Sequence, residues 1–148
     1  MNPNPVNLLL ADDDADDCIF FREALEELPH ATELVTVNDG VELMRLLSSD
    51  GETLPDAIYL DLNMPRKSGF ECLLEIKQNQ KLKHLPVIIF STSFNPEVVN
   101  KLRHQGADYY IRKPADFSDL KKIISKSLDL LSNGNSQPSI DNFVLNSK

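Results

Sequence analysis

Short apolar runs alternate with stretches of helical spacing along this chain. The first run, residues 6–11, stops abruptly at Asp12-Asp13-Asp14, as a buried strand does where it reaches solvent. Asp14 can cap a following helix, and Asp16 and Asp17 suit the positive end of its dipole. Cys18, Phe21, Leu25 and Leu28 then recur at helical spacing and mark a buried face. A β-branched run over 33–37 predicts a second strand, and Val41, Met44 and Leu47 place a helix over 40–49.

A polar loop holding Gly51 and Pro55 leads into a third strand over 56–61. Ser68 and Glu71 form a capping-box pair, with Phe70, Leu73 and Leu74 as the apolar stripe of a third helix. Pro86 introduces a fourth strand over 87–91. Asn95-Pro96-Glu97 starts a helix, with a capping side chain, a proline at the first position and an acid in the first turn, and Gly106 closes it. A fifth strand over 107–112, the Lys113-Pro114 turn and a helix over 116–131, facing inward through Leu120, Ile123, Ile124, Leu128 and Leu131, complete the series.

Five strands alternating with five helices predict a doubly wound α/β domain, because parallel strands need right-handed helical crossovers. Residues 1–5 read as a tail and 6–132 as the domain. The Ser-, Asn- and Pro-containing stretch 133–148 reads as a flexible end or a docked segment, with Phe143, Val144 and Leu145 as its apolar patch. A length of 148 residues with 41% apolar content suits one core. The charge of -8 argues against nucleic-acid or membrane-surface binding, since both targets are anionic. Cys18 and Cys72 read as buried thiols of a reducing compartment. The opening residues resemble neither a secretion signal nor a membrane span, so a cytoplasmic protein is expected.

In an open parallel sheet, ligands bind beyond the carboxyl ends of the strands. Those ends carry Asp12 and Asp13, then Asp61, then Ser91 with Thr92, then Lys113; the second strand adds only Asn38 and Asp39. Three converging carboxylates repel one another unless a cation neutralises them, and an all-oxygen set suits hydrated Mg²⁺ better than zinc. A metal and a lysine can together clamp a transferring phosphoryl group, with Asp61 as nucleophile forming an acyl phosphate. Each residue also has a plain structural use: Asp61 could terminate its strand, Asp14 and Ser91 could cap, and Lys113 could be solvated. The coincidence of four polar strand ends favours the functional reading. His30, His84 and His104 lack metal-ligand spacing and read as surface residues, and Tyr109-Tyr110 is an ordinary strand pair by propensity.

The segments LLLADDD, YLDLNMPRKSG, PVIIFSTS and GADYYIRKP together resemble the response-regulator receiver domain of bacterial two-component signalling, over roughly residues 6–131. The resemblance implies a flavodoxin-like sheet of order 2-1-3-4-5. It implies Asp61 as phosphoacceptor, Asp13 as a direct ligand of Mg²⁺ or Mn²⁺, Asp12 as its acidic neighbour, and Asn63 as a ligand through its carbonyl. Ser91 resembles the switch hydroxyl, Lys113 the lysine that pairs with the phosphoryl group, and Tyr110 the aromatic that follows the hydroxyl. A cis bond at Lys113-Pro114 is also implied. The partners implied are a histidine kinase or phosphotransfer protein, and a downstream protein at the face of the fourth helix, fifth strand and fifth helix. With no effector domain in the sequence, the chain resembles the stand-alone class.

Two departures are a longer loop at 49–54 and the longer tail. Ser93 and Asn63 flank the path of attacking water. A haloacid-dehalogenase-like phosphatase is the enzyme rival, but its Asp-x-Asp motif needs a proton donor where Asn63 stands. A flavin or nucleotide module would need glycines or hydroxyls after the first strand, where three acids stand. A phosphorylation-independent interaction module would have no use for the acceptor, the metal acids and the lysine.

Overall fold

A computed structural model of the chain describes residues 5–49, 53–132 and 140–146. The elements run β1 (Val6–Ala11), α1 (Ala15–Glu26), β2 (Thr32–Val37), α2 (Gly40–Ser48), β3 (Ala57–Leu60), α3 (Gly69–Gln78), β4 (Val87–Ser91), α4 (Pro96–His104), β5 (Tyr109–Arg112), α5 (Phe117–Ser132), α6 (Ile140–Phe143) and β6 (Val144–Leu145). All strands pair in parallel, in the order β2-β1-β3-β4-β5-β6.

The two-residue period of the strands sorts the core onto two faces. Leu9, Ala11, Ile58, Leu60, Val87, Ile89 and Tyr110 point toward α2, α3 and α4. Leu8, Leu10, Tyr59, Ile88, Phe90 and Ile111 point toward α1 and α5. Both faces are buried, which is why β1, β3 and β4 read as continuous apolar runs.

Helix starts follow the expected chemistry. Asp14 Oδ1 accepts from Asp16 N at 2.9 Å and Asp17 N at 3.1 Å, and Asn95 Oδ1 accepts from Glu97 N at 2.9 Å. Ser68 Oγ accepts from Glu71 N at 3.3 Å. Glu71 Oε1 in turn meets the Ser68 hydroxyl at 3.4 Å rather than the backbone N–H of a full capping box.

Four expectations change. The fifth strand is not the sheet's edge, because β6 from the tail pairs with it, Tyr110 opposite Val144 and Ile111 opposite Leu145; an open edge supplies unpaired backbone groups, and burial of Phe143 and Leu145 holds the segment there. Leu74 is 39% exposed while Cys72, Leu73 and Ile76 form the buried stripe of α3, since one residue of offset turns a helix by about 100°. Cys18 is only half-buried; both thiols are free. The Lys113-Pro114 bond is trans, as no described peptide is cis, and trans is favoured by ~0.5–1 kcal/mol before proline. The long loop at 49–54 falls partly outside the described residues.

Candidate phosphoryl and metal site

Backbone ladders bring the polar strand ends to one rim. Asp12 N donates to Val37 O at 3.0 Å and Asp61 N to Ala11 O at 2.9 Å, one residue past the end of each strand, while Lys113 N donates to Ser91 O at 2.8 Å. Carboxylate oxygens of Asp12, Asp13 and Asp61 then lie within 4.8 Å of one another. Asp12 and Asp61 are buried and Asp13 faces solvent.

Lys113 supplies the opposing charge. Its ammonium stands 2.7 Å from Asp12 Oδ2, 2.8 Å from Asp17 Oδ2 and 3.4 Å from Asp61 Oδ2, with the side chain only 8% exposed. Burial works against its charge, but the close carboxylates of Asp12 and Asp17 and the field of Asp61 hold its pKa above the ordinary lysine value. Burial dominates at Asp12 and lifts its carboxyl to about 6, against the lowering effects of Lys113 and the Asp14 backbone N–H. Asp12 Oδ2 is buried and, apart from this ion pair, has no donor aligned for a hydrogen bond. A clustered acid triad with an underserved oxygen fits a hard divalent cation.

A second group of residues meets at Ser93. Asn63 Nδ2 donates to Ser93 Oγ at 3.3 Å, Ser93 N donates to Ser91 Oγ at 3.2 Å, and the Tyr110 hydroxyl donates to the Ser93 carbonyl. Burial raises the pKa of Tyr110, and a hydrogen bond with the Ser91 side chain opposes the rise. Tyr110 is fully buried, turned toward the strand ends, and Phe94 meets its ring edge-on with centroids 6.0 Å apart.

The structure therefore gathers Asp12, Asp13, Asp61 and Lys113 directly, and links Asn63, Ser91 and Tyr110 through Ser93. Among the described residues no histidine joins the acid cluster. His84 and His104 are exposed, and His30 lies 2.9 Å from Asp129.

Sequence reasoning overlooked three contributors. Asp17 served there only as a helix-dipole acid, yet it is the second-nearest partner of Lys113; its place in the first turn of the helix that starts just after Asp12 and Asp13 was the available signal. Gly69 passes so close to the end of β3 that an added Cβ would lie 2.1 Å from the Asp61 carbonyl oxygen, and its N–H donates to Leu62 O at 3.0 Å. Arg66 adopts φ 68°, a left-handed conformation costing ~1–3 kcal/mol for a residue with a side chain. Its guanidinium reaches Asp39 at 3.4 Å, anchoring the loop beyond Asp61.

Comparison with known proteins agrees with this geometry. The family model described as the response regulator receiver domain matches residues 8–125. Response regulator Rcp1 of Synechocystis is 37% identical over 127 residues, covering 83% of this chain and 86% of that protein. Among solved structures, the phosphorylated cyanobacterial phytochrome response regulator RcpA superposes with a TM-score of 0.81 at 35% identity, over 92% of this chain and 100% of that one. The Mn²⁺-bound form of Rcp1 gives 0.79 at 32% identity, over 91% and 100%. The acid cluster suits divalent-metal binding as in receiver domains. No described helix is long and apolar enough to cross a membrane. With strand order, site geometry and sequence in agreement, the chain belongs to the response-regulator receiver family, the phosphoaccepting domains of two-component signalling.

Proposed function

We propose that the chain is a single-domain response regulator, residues 6–132 forming the receiver, that takes a phosphoryl group onto Asp61 from the phosphohistidine of a histidine kinase or phosphotransfer protein. The observation that carries this reading is the Lys113 ammonium poised between Asp12 and Asp61, beside a carboxylate triad. Asp12, Asp13, Asp61 and the Asn63 carbonyl would hold Mg²⁺. When bound, that cation offsets the charge of the acids and of the phosphoryl oxygens.

An Asp61 carboxylate oxygen forms the new P–O bond as the donor's P–N bond breaks, its electron pair returning to the imidazole nitrogen, which takes up a proton from solvent. Lys113 donates to a phosphoryl oxygen from the side of Asp61 Oδ2, while the Ser91 hydroxyl turns from Ser93 N toward another. The group adds a charge of about -1.5 to -2 with three acceptor oxygens, enough to draw both donors. Asn63 gives no acid to a leaving group, so the chain catalyses only its own phosphorylation and dephosphorylation. Two free thiols suit a reducing cytoplasm.

Incubation with acetyl phosphate and Mg²⁺, followed by intact mass measurement, tests the assignment. Wild type gains one phosphoryl group and Asp61→Asn gains none. Equal incorporation by both overturns it, and sustained turnover of small phosphate esters would favour the phosphatase instead.

A further inference from the structure

The tail segment 140–146 sits on the strand that bears Tyr110. Its main-chain pairing is short, two register pairs with β5 among the described residues, but its side chains straddle the sheet. Phe143, fully buried, and half-buried Val144 enter the face that holds Tyr110, Val98, Val99 and Leu102. Leu145 enters the other face with Ile111, Ile124 and Leu128. Lys126 Nζ donates to the Asn146 carbonyl at 3.5 Å, tying the end of the segment to α5.

Tyr110 has its hydroxyl on the Ser93 carbonyl, so its ring is turned toward the phosphoacceptor rim. Turned the opposite way, the ring would need the space between α4 and the outer edge of β5. Phe143 is buried at that edge in the same apolar cluster as Tyr110, Val99 and Leu102, with α6 packed on α4. An outward Tyr110 ring would compete with Phe143 for this edge, and a differential contact of this kind is what would let one event bias another.

We propose that residues 140–146 act in cis as a latch on the α4–β5 surface, holding Tyr110 inward, so that docking of the segment and retention of phosphate on Asp61 reinforce each other. This rests on the reading of Asp61 as acceptor. Because coupling between two binding events is reciprocal, phosphorylation tightens the segment by the factor with which the segment favours phosphorylation. It also redefines the interaction surface: a downstream partner meets α4 and β6, not a bare edge of β5.

The test follows hydrogen exchange of the 144–146 amides in the full chain, and in the same samples the phosphorylated fraction with acetyl phosphate and Mg²⁺. Phosphorylation of wild type is expected to slow exchange of these amides by about fivefold, and Phe143→Ala to lower the ratio of phosphorylated to free protein by about the same factor. Leu145→Asp, which releases the segment from the other face, should match Phe143→Ala. In a Tyr110→Ala background Phe143→Ala should change the ratio no further, whereas a merely structural loss would persist. Unchanged exchange in a sample whose mass shows phosphorylation overturns the latch while leaving Asp61 as acceptor, as does a Phe143→Ala effect that survives Tyr110→Ala. Equal phosphate uptake by Asp61→Asn overturns the underlying reading instead.

Discussion

Replacing Lys113 by methionine keeps most of the side chain's bulk and removes its charge from the midst of three acids. At an effective dielectric of ~20, unit charges at the observed 2.7 and 2.8 Å attract by ~6 kcal/mol each, and at 3.4 Å by ~5 kcal/mol. Desolvation of the ammonium and of Asp12 cancels most of that gross attraction. Removing one partner of a buried ion pair is therefore expected to cost ~3–5 kcal/mol, because Asp12 and Asp61 are left uncompensated. The same loss frees Asp12 Oδ2 and Asp61 Oδ2 for a cation, so millimolar Mg²⁺ should stabilise Lys113→Met more than wild type, where the ammonium competes for both oxygens. A ligand at 100 times its dissociation constant adds ~2.7 kcal/mol, so Mg²⁺ should restore a large part of the deficit. Urea denaturation of both proteins at pH 7.5 (about one pH unit above the His midpoint), with Mg²⁺ and with chelator, measures each term. A loss below ~1 kcal/mol together with an equal Mg²⁺ response in both proteins would refute the picture of Lys113 as the counter-charge of the cluster.

The raised Asp12 pKa gives an unusual pH dependence: the fold favours its protonated form, so this contribution is fully present below about pH 4 and is lost as pH rises through about 6. Cation binding needs the ionised form, so the stability gained from Mg²⁺ should grow from pH 5 to 7 (about the span over which Asp12 ionises), checked by melting curves with and without the metal. Gly69→Ala would drive a Cβ against the Asp61 carbonyl at 2.1 Å; an expected loss of ~1–3 kcal/mol in urea, with slower phosphate uptake, reflects displacement of the β3 end. Asp17→Asn removes one of the two close carboxylates that raise the Lys113 pKa, so Lys113 should deprotonate at lower pH in an NMR titration. An unchanged midpoint would separate Asp17 from the site.

The sheet and the site were legible for the same reason. In a parallel sheet buried on both faces, each strand is an unbroken apolar run, so its end is marked by the first polar residue, and for β1, β3 and β5 that residue or its neighbour belongs to the candidate site. Asp12, Asp61 and Lys113 could be placed on one rim before any coordinate was known. Asp17 and Gly69 could not. Asp17 lies on a helix start where acids are common for dipole reasons, and its contact with Lys113 spans 96 positions of sequence. The contact of Gly69 is with backbone, which no side-chain pattern records. Leu74 failed because Cys72 and Ile76 describe the inward stripe of α3 as well as Phe70 and Leu74 do, and the choice between them depends on how the helix is rotated on the sheet.

The tail shows where local pattern ends and tertiary opportunity begins. Phe143, Val144 and Leu145 are too few to define a strand, since an isolated pair of ladder residues cannot offset the entropy of ordering the segment. They become one because β5 presents unpaired backbone groups and because Phe143 and Leu145 find apolar sites on opposite faces of the sheet. Neither condition is written near residue 143; both belong to β5, α4 and α5, and both are next to Tyr110. If Tyr110 follows the phosphoryl site as proposed, a segment held so lightly beside it would be sensitive to small changes in that residue's packing. Under that proposal its docking free energy would change with the state of Tyr110 without threatening the core, which is what a signalling surface requires.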